Sequence, residues 1–371
     1  MMVRTTLPAG CVPTSYKPED VSLLLSDLSG RIEETALGER EAVMQGGGHY
    51  SEMLPVEYEP SIGYQNLFHA ILTSTSAEIA RTIAVLCERV IARRDPTQLV
   101  LVSLARAGTP AGILMVRYLR RLGFDVPHYS VSIIRDRGID ELALRHIVRS
   151  HPAFEVQFVD GWTGKGTIAR ELALACDRTN HLFDLDPTLA VIADPGRCTP
   201  LFGTRSDLLV PSACLNATVS GLVSRTVYRP DLTAASFHGA KYYGELASVD
   251  VSNLFLDVVQ AAFPDRSEAL AEANAIEATK PSAEWTGRVE VESIAAQFGI
   301  QDVNLVKPGI GETLRVLLRR KPWRVLVHDA ADPALEPIFA LADEKNVPIE
   351  LFPEMSYKCC GLIEPMFRAD V

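Results

Sequence analysis

The stretch Phe158-Val-Asp-Gly-Trp-Thr-Gly-Lys-Gly-Thr-Ile-Ala-Arg170 concentrates residues able to hold an anion. A hydrophobic run ends in an acid, Asp160, and a loop of three glycines and two threonines leads into a helical pattern. Glycines let backbone N–H groups converge on one anion, and a helix N-terminus adds favourable partial charge. Thr163 and Thr167 can donate hydroxyl hydrogen bonds to phosphate oxygens, and Lys165 adds a full charge. The chemistry this pattern serves is phosphate binding; the bland alternative is an ordinary glycine-rich turn. It is not a Walker A loop, because the first glycine of that pattern falls at Val159 and Lys165 is followed by Gly166, not Ser or Thr. It is not G-x-G-x-x-G either.

A second anion-binding pattern lies near the C-terminus. From Lys307 to Arg324, six basic residues (Lys307, Arg315, Arg319, Arg320, Lys321 and Arg324) stand against one acid, Glu312. They follow the turn Val306-Lys-Pro-Gly-Ile-Gly-Glu-Thr313. A basic face behind a glycine loop is the footprint of a protein that grips an RNA backbone, although a solvated helix face gives the same pattern.

The elements that must position these residues are legible in outline. Leu99–Ser103, His128–Ile134, Phe154–Asp160 and Leu189–Ala193 are short apolar runs, as buried parallel strands should be, and Leu208–Val210 is a fifth candidate. Helical patterns cover residues 61–94, 111–122 and 167–176. The first should be capped by Thr75 or Ser76 and end before Asp95-Pro96. Strands alternating with helices predict an α/β fold around a parallel sheet. Residues 1–60, punctuated by Pro and Gly with a glycine run at Gly46 to Gly48, read as an N-terminal arm with one helix near Val21 to Leu28. Residues 61–265 form the main domain and 266–284 a helical linker. Residues 285–371 form a small second α/β unit, with helices at 291–298, 312–320 and 334–345 and strands at 324–328 and 349–352.

Composition sets the outer bounds. The 371 residues are 47% hydrophobic and carry a net charge of −11, so a disordered chain or a general nucleic-acid coat is excluded while a local basic patch is not. No apolar run approaches the ~20 residues of a membrane span, and the first twenty residues lack a signal-peptide core. The seven cysteines are an odd, scattered set without a C-x-x-C pair, and adjacent Cys359 and Cys360 are poorly placed to share one zinc. A cytoplasmic protein with reduced thiols, no metal held by its own side chains and no membrane partner is expected. The sequence leaves a homodimer open.

The loop at 160–167 resembles the phosphoribosyl-pyrophosphate loop of type I phosphoribosyltransferases. That resemblance implies Asp160 at the ribose hydroxyls, and Thr163, Gly164, Lys165, Gly166 and Thr167 at the 5′-phosphate. It also implies a pyrophosphate loop at Val102–Pro110, with Arg106, Thr109 and the amides of Ala107 and Gly108 as ligands. Arg135 and Arg137 would then belong to a flexible loop closing over the leaving group, the alternative being a solvated loop. Two adjacent acids are usual in that family, whereas here Gly161 follows Asp160. The implied reaction displaces pyrophosphate at ribose C1, with Mg²⁺ carried mainly by pyrophosphate and ribose oxygens. His49 and Tyr50 would then sit in a hood over the site or in a plain loop.

The C-terminal unit resembles the L7Ae/PELOTA-type RNA-binding domain. The matching turn implies RNA contacts at Lys307, Gly309, Gly311, Glu312 and Thr313, and the basic helix adds Arg319. The two-part order resembles a bacterial family encoded near tellurite-resistance stress operons. Its members are described as phosphoribosyltransferase-like proteins with a PELOTA domain, and some carry the label cysteine protease StiP. The family resemblance implies a phosphoribosyltransferase-like enzyme that makes a ribonucleoside-type product or modifies RNA under stress. The alternatives are a cysteine protease and a nucleotide-sensing RNA binder without turnover. A protease needs a thiolate near a histidine; Cys198 beside Arg197, Cys214, and His238 are the candidates.

Overall fold

The computed structural model describes residues 8–36, 48–229, 231 and 236–364. Gly46 and Gly47 of the glycine run lie outside them.

The central sheet is built from β1 (Ser22–Leu24), β2 (Val100–Ala105), β3 (His128–Ile134), β4 (Val156–Trp162), β5 (Leu189–Ala193) and β6 (Leu201–Thr204). They run parallel in the order β1-β3-β2-β4-β5-β6, and a short antiparallel strand at Gly138–Ile139 folds back on β3. Residues of β2, β3 and β5 are buried on both faces, which is why their sequences are continuous rather than alternating apolar runs.

Helices cover both faces. One apolar cluster gathers α1 (Ile62–Ile91), α2 (Gly108–Arg121), α5 (Ser252–Ala261) and α6 (Arg266–Ala278). The other gathers α3 (Glu141–Val148) and α4 (Thr167–Phe183). The α1 cap is Ser61, whose hydroxyl accepts from Tyr64 N, and not Thr75 or Ser76; those lie inside the helix, where Thr75 bonds Ile71 O instead. Helix α1 is apolar and long enough over part of its length to match a membrane span by composition, and more than half of that window is buried within the fold.

Two expectations need correction. The segment near Val21 to Leu28 is not a helix. Ser22–Leu24 adds an edge strand to the main sheet, its register fixed by Ser22 opposite Tyr129. The buried ion pair of the adjacent Asp20 with Arg117 on α2 holds it there, at 2.6 Å. Leu208–Val210 is buried but not a strand. The last strand is instead Leu201–Thr204, where Gly203 is required because a Cβ would come within 2.5 Å of Thr82 O.

The C-terminal unit has a four-stranded sheet of β7 (Val306–Pro308), β8 (Pro322–Val327), β9 (Ile349–Leu351) and β10 (Cys359–Ile363), in the order β7-β10-β8-β9. Helix α7 (Thr286–Gln297) lies on one face, and α8 (Ile310–Arg319) with α9 (Glu336–Glu344) on the other. The segment preceding it, α6, is pinned to α1 by Arg89–Glu277 at 2.7 Å and Arg266–Glu88 at 2.9 Å.

The unit docks closely on the main domain. Leu314 and Leu317 of α8 share one apolar cluster with Leu208 and Ala213. The Asp207 carboxylate accepts from Ile310 N and Lys358 N, each at 3.1 Å. Tyr357 donates its hydroxyl to Gly164 O at 3.2 Å, and Gly287 N donates to Gly196 O at 3.1 Å.

Candidate functional site

Strand β2 leads through α2 to β3 on one side of itself, whereas β4 lies on its other side and leads on to β5. The order therefore reverses between β2 and β4, and ligands of open parallel sheets bind at the carboxyl ends of strands at such a point. The loops that emerge there are Arg106-Ala107 and Thr163–Gly166. They pack tightly. A Cβ on Gly108 would meet Val159 O at 2.6 Å and Asp160 Oδ1 at 3.2 Å. Gly166 ends its loop at φ +80°, and a Cβ there would come within 2.6 Å of Trp285 and 2.8 Å of Cys198 Sγ.

A cleft of about 1530 Å³ opens over these loops, between the main domain and the C-terminal unit. Nine Lys and Arg side chains and four acidic ones line it, in a chain whose net charge is −11. The wall from the main domain carries Ala107, Arg135, Asp160 and the whole loop from Thr163 to Thr167. The opposite wall carries Lys307, Glu312, Arg315 and Arg319. The phosphate-type loop and the basic C-terminal turn thus face one space.

Asp160 stands at the end of β4, accepting from Gly161 N at 2.8 Å, and burial pushes its pKa up to about 7. Burial pushes Lys165 down to about 8, with Lys307 and Arg135 acting in the same direction. Its Nζ donates to Val303 O and Asn304 Oδ1 of the C-terminal unit at 2.9 and 3.1 Å. Thr167 opens α4 facing the cleft. Arg135 is steered by Tyr50, whose hydroxyl accepts from Arg135 N at 2.9 Å and whose ring lies 5.3 Å from the guanidinium. Tyr50 lines the cleft, whereas His49 caps a short turn through Ser51.

Other expected ligands are committed elsewhere. The Thr163 hydroxyl donates to Asp194. Thr109 Oγ1 is bonded to Ser130 Oγ at 2.7 Å inside the sheet. Arg106 donates to Val223 O at 2.9 Å and Asn216 Oδ1 at 3.0 Å and does not line the cleft. Arg137 is paired with Glu52 at 2.6 Å and lies over Tyr228, outside the cleft.

The C-terminal residues are also differently placed than an outward-facing RNA patch requires. Gly309 lies against Asp207 and Gly311 against Trp162, so the glycine turn faces the main domain. The Thr313 hydroxyl is buried against Lys307 O. Arg319 donates to Asn216 Oδ1 and Cys214 O, and burial lowers its pKa to about 10. Lys307 and Glu312 do line the cleft. Sequence reasoning placed Arg315 only in the basic RNA-type face and assigned no role to Trp162. Arg315 lies 4.9 Å from the Trp162 ring, pairs with Glu312 at 2.8 Å, and leaves its buried Nε without a partner. No local signal could have joined them, because they come from different domains.

The thiol candidates lack a base. Cys198 and Cys214 are buried, and burial pushes each up to about 12. Cys198 Sγ contacts Gly196 O at 3.3 Å and Gly164 O at 3.6 Å. His238 is buried against Ser132 Oγ at 2.9 Å. Among the described residues no cysteine sulfur is hydrogen-bonded to a histidine, and only Cys11 is partly exposed. Cys359 and Cys360 are buried in β10. Among the described residues no group of three His, Cys, Asp or Glu side chains is placed to hold a metal ion.

Residues 14–260 match the family described as tellurite-like stress resistance cysteine protease StiP, and residues 285–365 match the PELOTA RNA-binding domain. The chain is 31% identical over 366 residues to the cysteine protease StiP of Acinetobacter baylyi, covering 95% of this chain and 94% of that protein. Among solved structures, it is similar to hypoxanthine phosphoribosyltransferase from Trypanosoma cruzi with its product IMP, at 14% identity and a TM-score of 0.25 over 35% of this chain and 68% of that one. A hypothetical protein from Neisseria gonorrhoeae with bound ppGpp gives 15% identity and a TM-score of 0.22 over 31% and 66%. The architecture rests on the strand order itself and not on these low scores. The family description and the relative's name carry the proteolytic alternative; neither carries phosphoribosyl transfer.

Proposed function

The chain belongs to the StiP family of tellurite-like stress resistance cysteine proteases, with a PELOTA domain at its C-terminus, and from the geometry of its cleft we propose that it acts on a phosphorylated ribosyl substrate. The observation that carries this reading is the position of the Gly/Thr loop. It opens α4 at the point where the strand order reverses, beside Asp160, in a strongly cationic cleft. The substrate in best accord with it is phosphoribosyl pyrophosphate, transferred to an acceptor. Backbone N–H groups at the start of α4 and the Thr167 hydroxyl would take the 5′-phosphate. Asp160 would accept from a ribose hydroxyl. Cationic side chains would stabilise the charge that develops on departing pyrophosphate. Magnesium would arrive with the pyrophosphate oxygens. Thr163 orders the loop through Asp194 and does not bind the ligand itself. RNA would reach the same cleft past the exposed Arg320 and Lys321 at its rim.

Calorimetry with phosphoribosyl pyrophosphate and Mg²⁺, wild type beside Thr167→Ala, tests the reading. Binding by wild type that is weakened at least tenfold in the variant is expected. An absence of binding by the wild-type chain would remove the reading.

The family membership favours a second reading, thiol-dependent proteolysis. Among the described thiols in the family-matched segment, Cys198 lies directly under the cleft loop, but as a buried thiol without an imidazole it is not poised for attack. Cleavage of an unfolded protein substrate that stops on alkylation and is lost in Cys198→Ser or Cys214→Ser, while phosphoribosyl pyrophosphate binding is unchanged, would establish this reading over the first.

A further inference from the structure

All four side chains expected to hold pyrophosphate have partners within the protein, Arg135 with Asp136 at 3.1 Å. Arg106 holds Asn216 and Val223 O, Thr109 holds Ser130, and Arg137 holds Glu52. Only Arg135 lines the cleft. A pyrophosphate group beside Asp160 would carry about three negative charges at neutral pH, and one arginine offsets a small part of that. Lys165 and Arg225 also line the main-domain wall, and further cations stand on the opposite wall. Arg315 is stacked on Trp162, which ends the same strand that carries Asp160, and Arg315 acts electrostatically on Asp160. Its Nε is a buried donor without an acceptor. Lys307 is half-buried at the cleft wall with its ammonium pKa lowered by desolvation, so an incoming anion would stabilise its charged form.

We infer that the C-terminal domain is half of the small-ligand site: Arg315 and Lys307 bind the pyrophosphate end of a ligand whose 5′-phosphate sits on the Thr163–Thr167 loop. This rests on the cleft reading proposed above. It turns the glycine turn and basic helix of an RNA-binding domain inward, to a nucleotide-sized ligand, and makes domain docking a requirement for binding. The buried contacts of Asp207, Tyr357 and Gly287 hold the two walls together. Glu312 stays paired with Arg315 at 2.8 Å and fixes the direction of its guanidinium.

The test uses the full chain and two probes, phosphoribosyl pyrophosphate with Mg²⁺ and ribose 5-phosphate, followed by calorimetry. Arg315→Gln and Lys307→Gln should each weaken phosphoribosyl pyrophosphate about tenfold or more, while ribose 5-phosphate changes less than about twofold, because only the first probe has a group that reaches the second wall. Arg288→Gln, an exposed helix-surface variant of the same domain, should change neither. Equal weakening of both probes would mark a structural role, and unchanged phosphoribosyl pyrophosphate binding would mark no role; either result overturns the inference and leaves the cleft reading standing. A wild-type chain that binds neither probe would overturn the cleft reading, and the inference with it.

Discussion

Replacing Asp160 by asparagine tests the electrostatics of the cleft without any ligand. The carboxyl accepts one hydrogen bond, from Gly161 N, and burial pushes its pKa up to about 7 against the opposing pull of that bond and of Arg315. An aspartate in an unfolded chain titrates near 3.9, at roughly one pKa unit per 1.4 kcal/mol. Between about pH 4 and pH 7 the folded protein therefore holds a proton that the unfolded chain has released. The contribution of this group to stability falls as pH rises through that window and is lowest above it. Three units would correspond to about 4 kcal/mol, and partial solvent contact reduces this to roughly 2–4 kcal/mol. Asparagine keeps an acceptor for Gly161 N and removes the charge. Asp160→Asn should thus be more stable than wild type at pH 8 by roughly 2–4 kcal/mol, or about 3–5 °C in Tm, and nearly equal to it at pH 4. Scanning calorimetry of both proteins at three pH values reads the difference. An offset that does not change with pH, or a variant less stable than wild type at pH 8, would refute the argument that this carboxylate is held in the cleft at a cost in stability. The same variant should bind phosphoribosyl pyrophosphate more weakly, so stability and binding should move in opposite directions.

Gly166→Ala should destabilise the fold by roughly 1–3 kcal/mol, read as a lower urea midpoint, because its positive φ and its contacts with Trp285 and Cys198 leave no room for a Cβ. Asp207→Ala should cost roughly 1–3 kcal/mol by orphaning Ile310 N and Lys358 N, and should speed proteolysis in the 279–285 connection; Asp207→Asn should recover part of the loss, and equal proteolysis of all three proteins would argue against Asp207 as the docking contact. Arg320→Gln combined with Lys321→Gln should flatten the salt dependence of RNA affinity by about two in slope, whereas Arg319→Gln should mainly lower Tm because its guanidinium is spent on Asn216 and Cys214 O.

The central strands were legible because each buries both faces and so appears as an unbroken apolar run. His128–Ile134 and Leu189–Ala193 are strands over the residues that such runs predict. Ser22–Leu24 was not legible. Three residues in a proline-punctuated arm carry no period, and they become a strand only against β3. Cys359–Ile363, an inner strand of the second sheet, was hidden for a related reason: Cys-Cys-Gly has little local strand preference, and pairing with β7 and β8 on either side decides it. At the site, the loop from Thr163 to Thr167 was legible, since strand, acid, glycines and helix are contiguous. The roles within it were not. That Thr163 serves Asp194, and that Arg137 serves Glu52, depends on residues thirty or more positions away. The cleft itself exists only once α8 docks on Asp207 and Trp162, more than a hundred positions earlier in the chain.

The same packing ties the two chemical readings together at one point. Gly196 approaches Gly164 so closely that a Cβ would come within 1.8 Å of Gly164 O, and Cys198 Sγ touches that same oxygen. Tyr357 of the C-terminal unit donates to it as well. Asp194 binds the Thr163 hydroxyl on one side and Cys198 N on the other. Any change at Cys198 therefore reaches the phosphate-type loop through Gly164 O, through Gly166 and through the Asp194 carboxylate. Loss of activity in Cys198→Ala alone does not separate a nucleophile from a packing residue beneath the ligand. Cys198→Ser does: it keeps a small hydroxyl donor beside Gly196 O, which the sulfur now contacts at 3.3 Å, but removes the sulfur nucleophile. Proteolysis that is lost in the serine variant while phosphoribosyl pyrophosphate binding survives would assign the thiol to chemistry. Binding lost in the alanine variant and kept in the serine variant would assign it to the support of the loop.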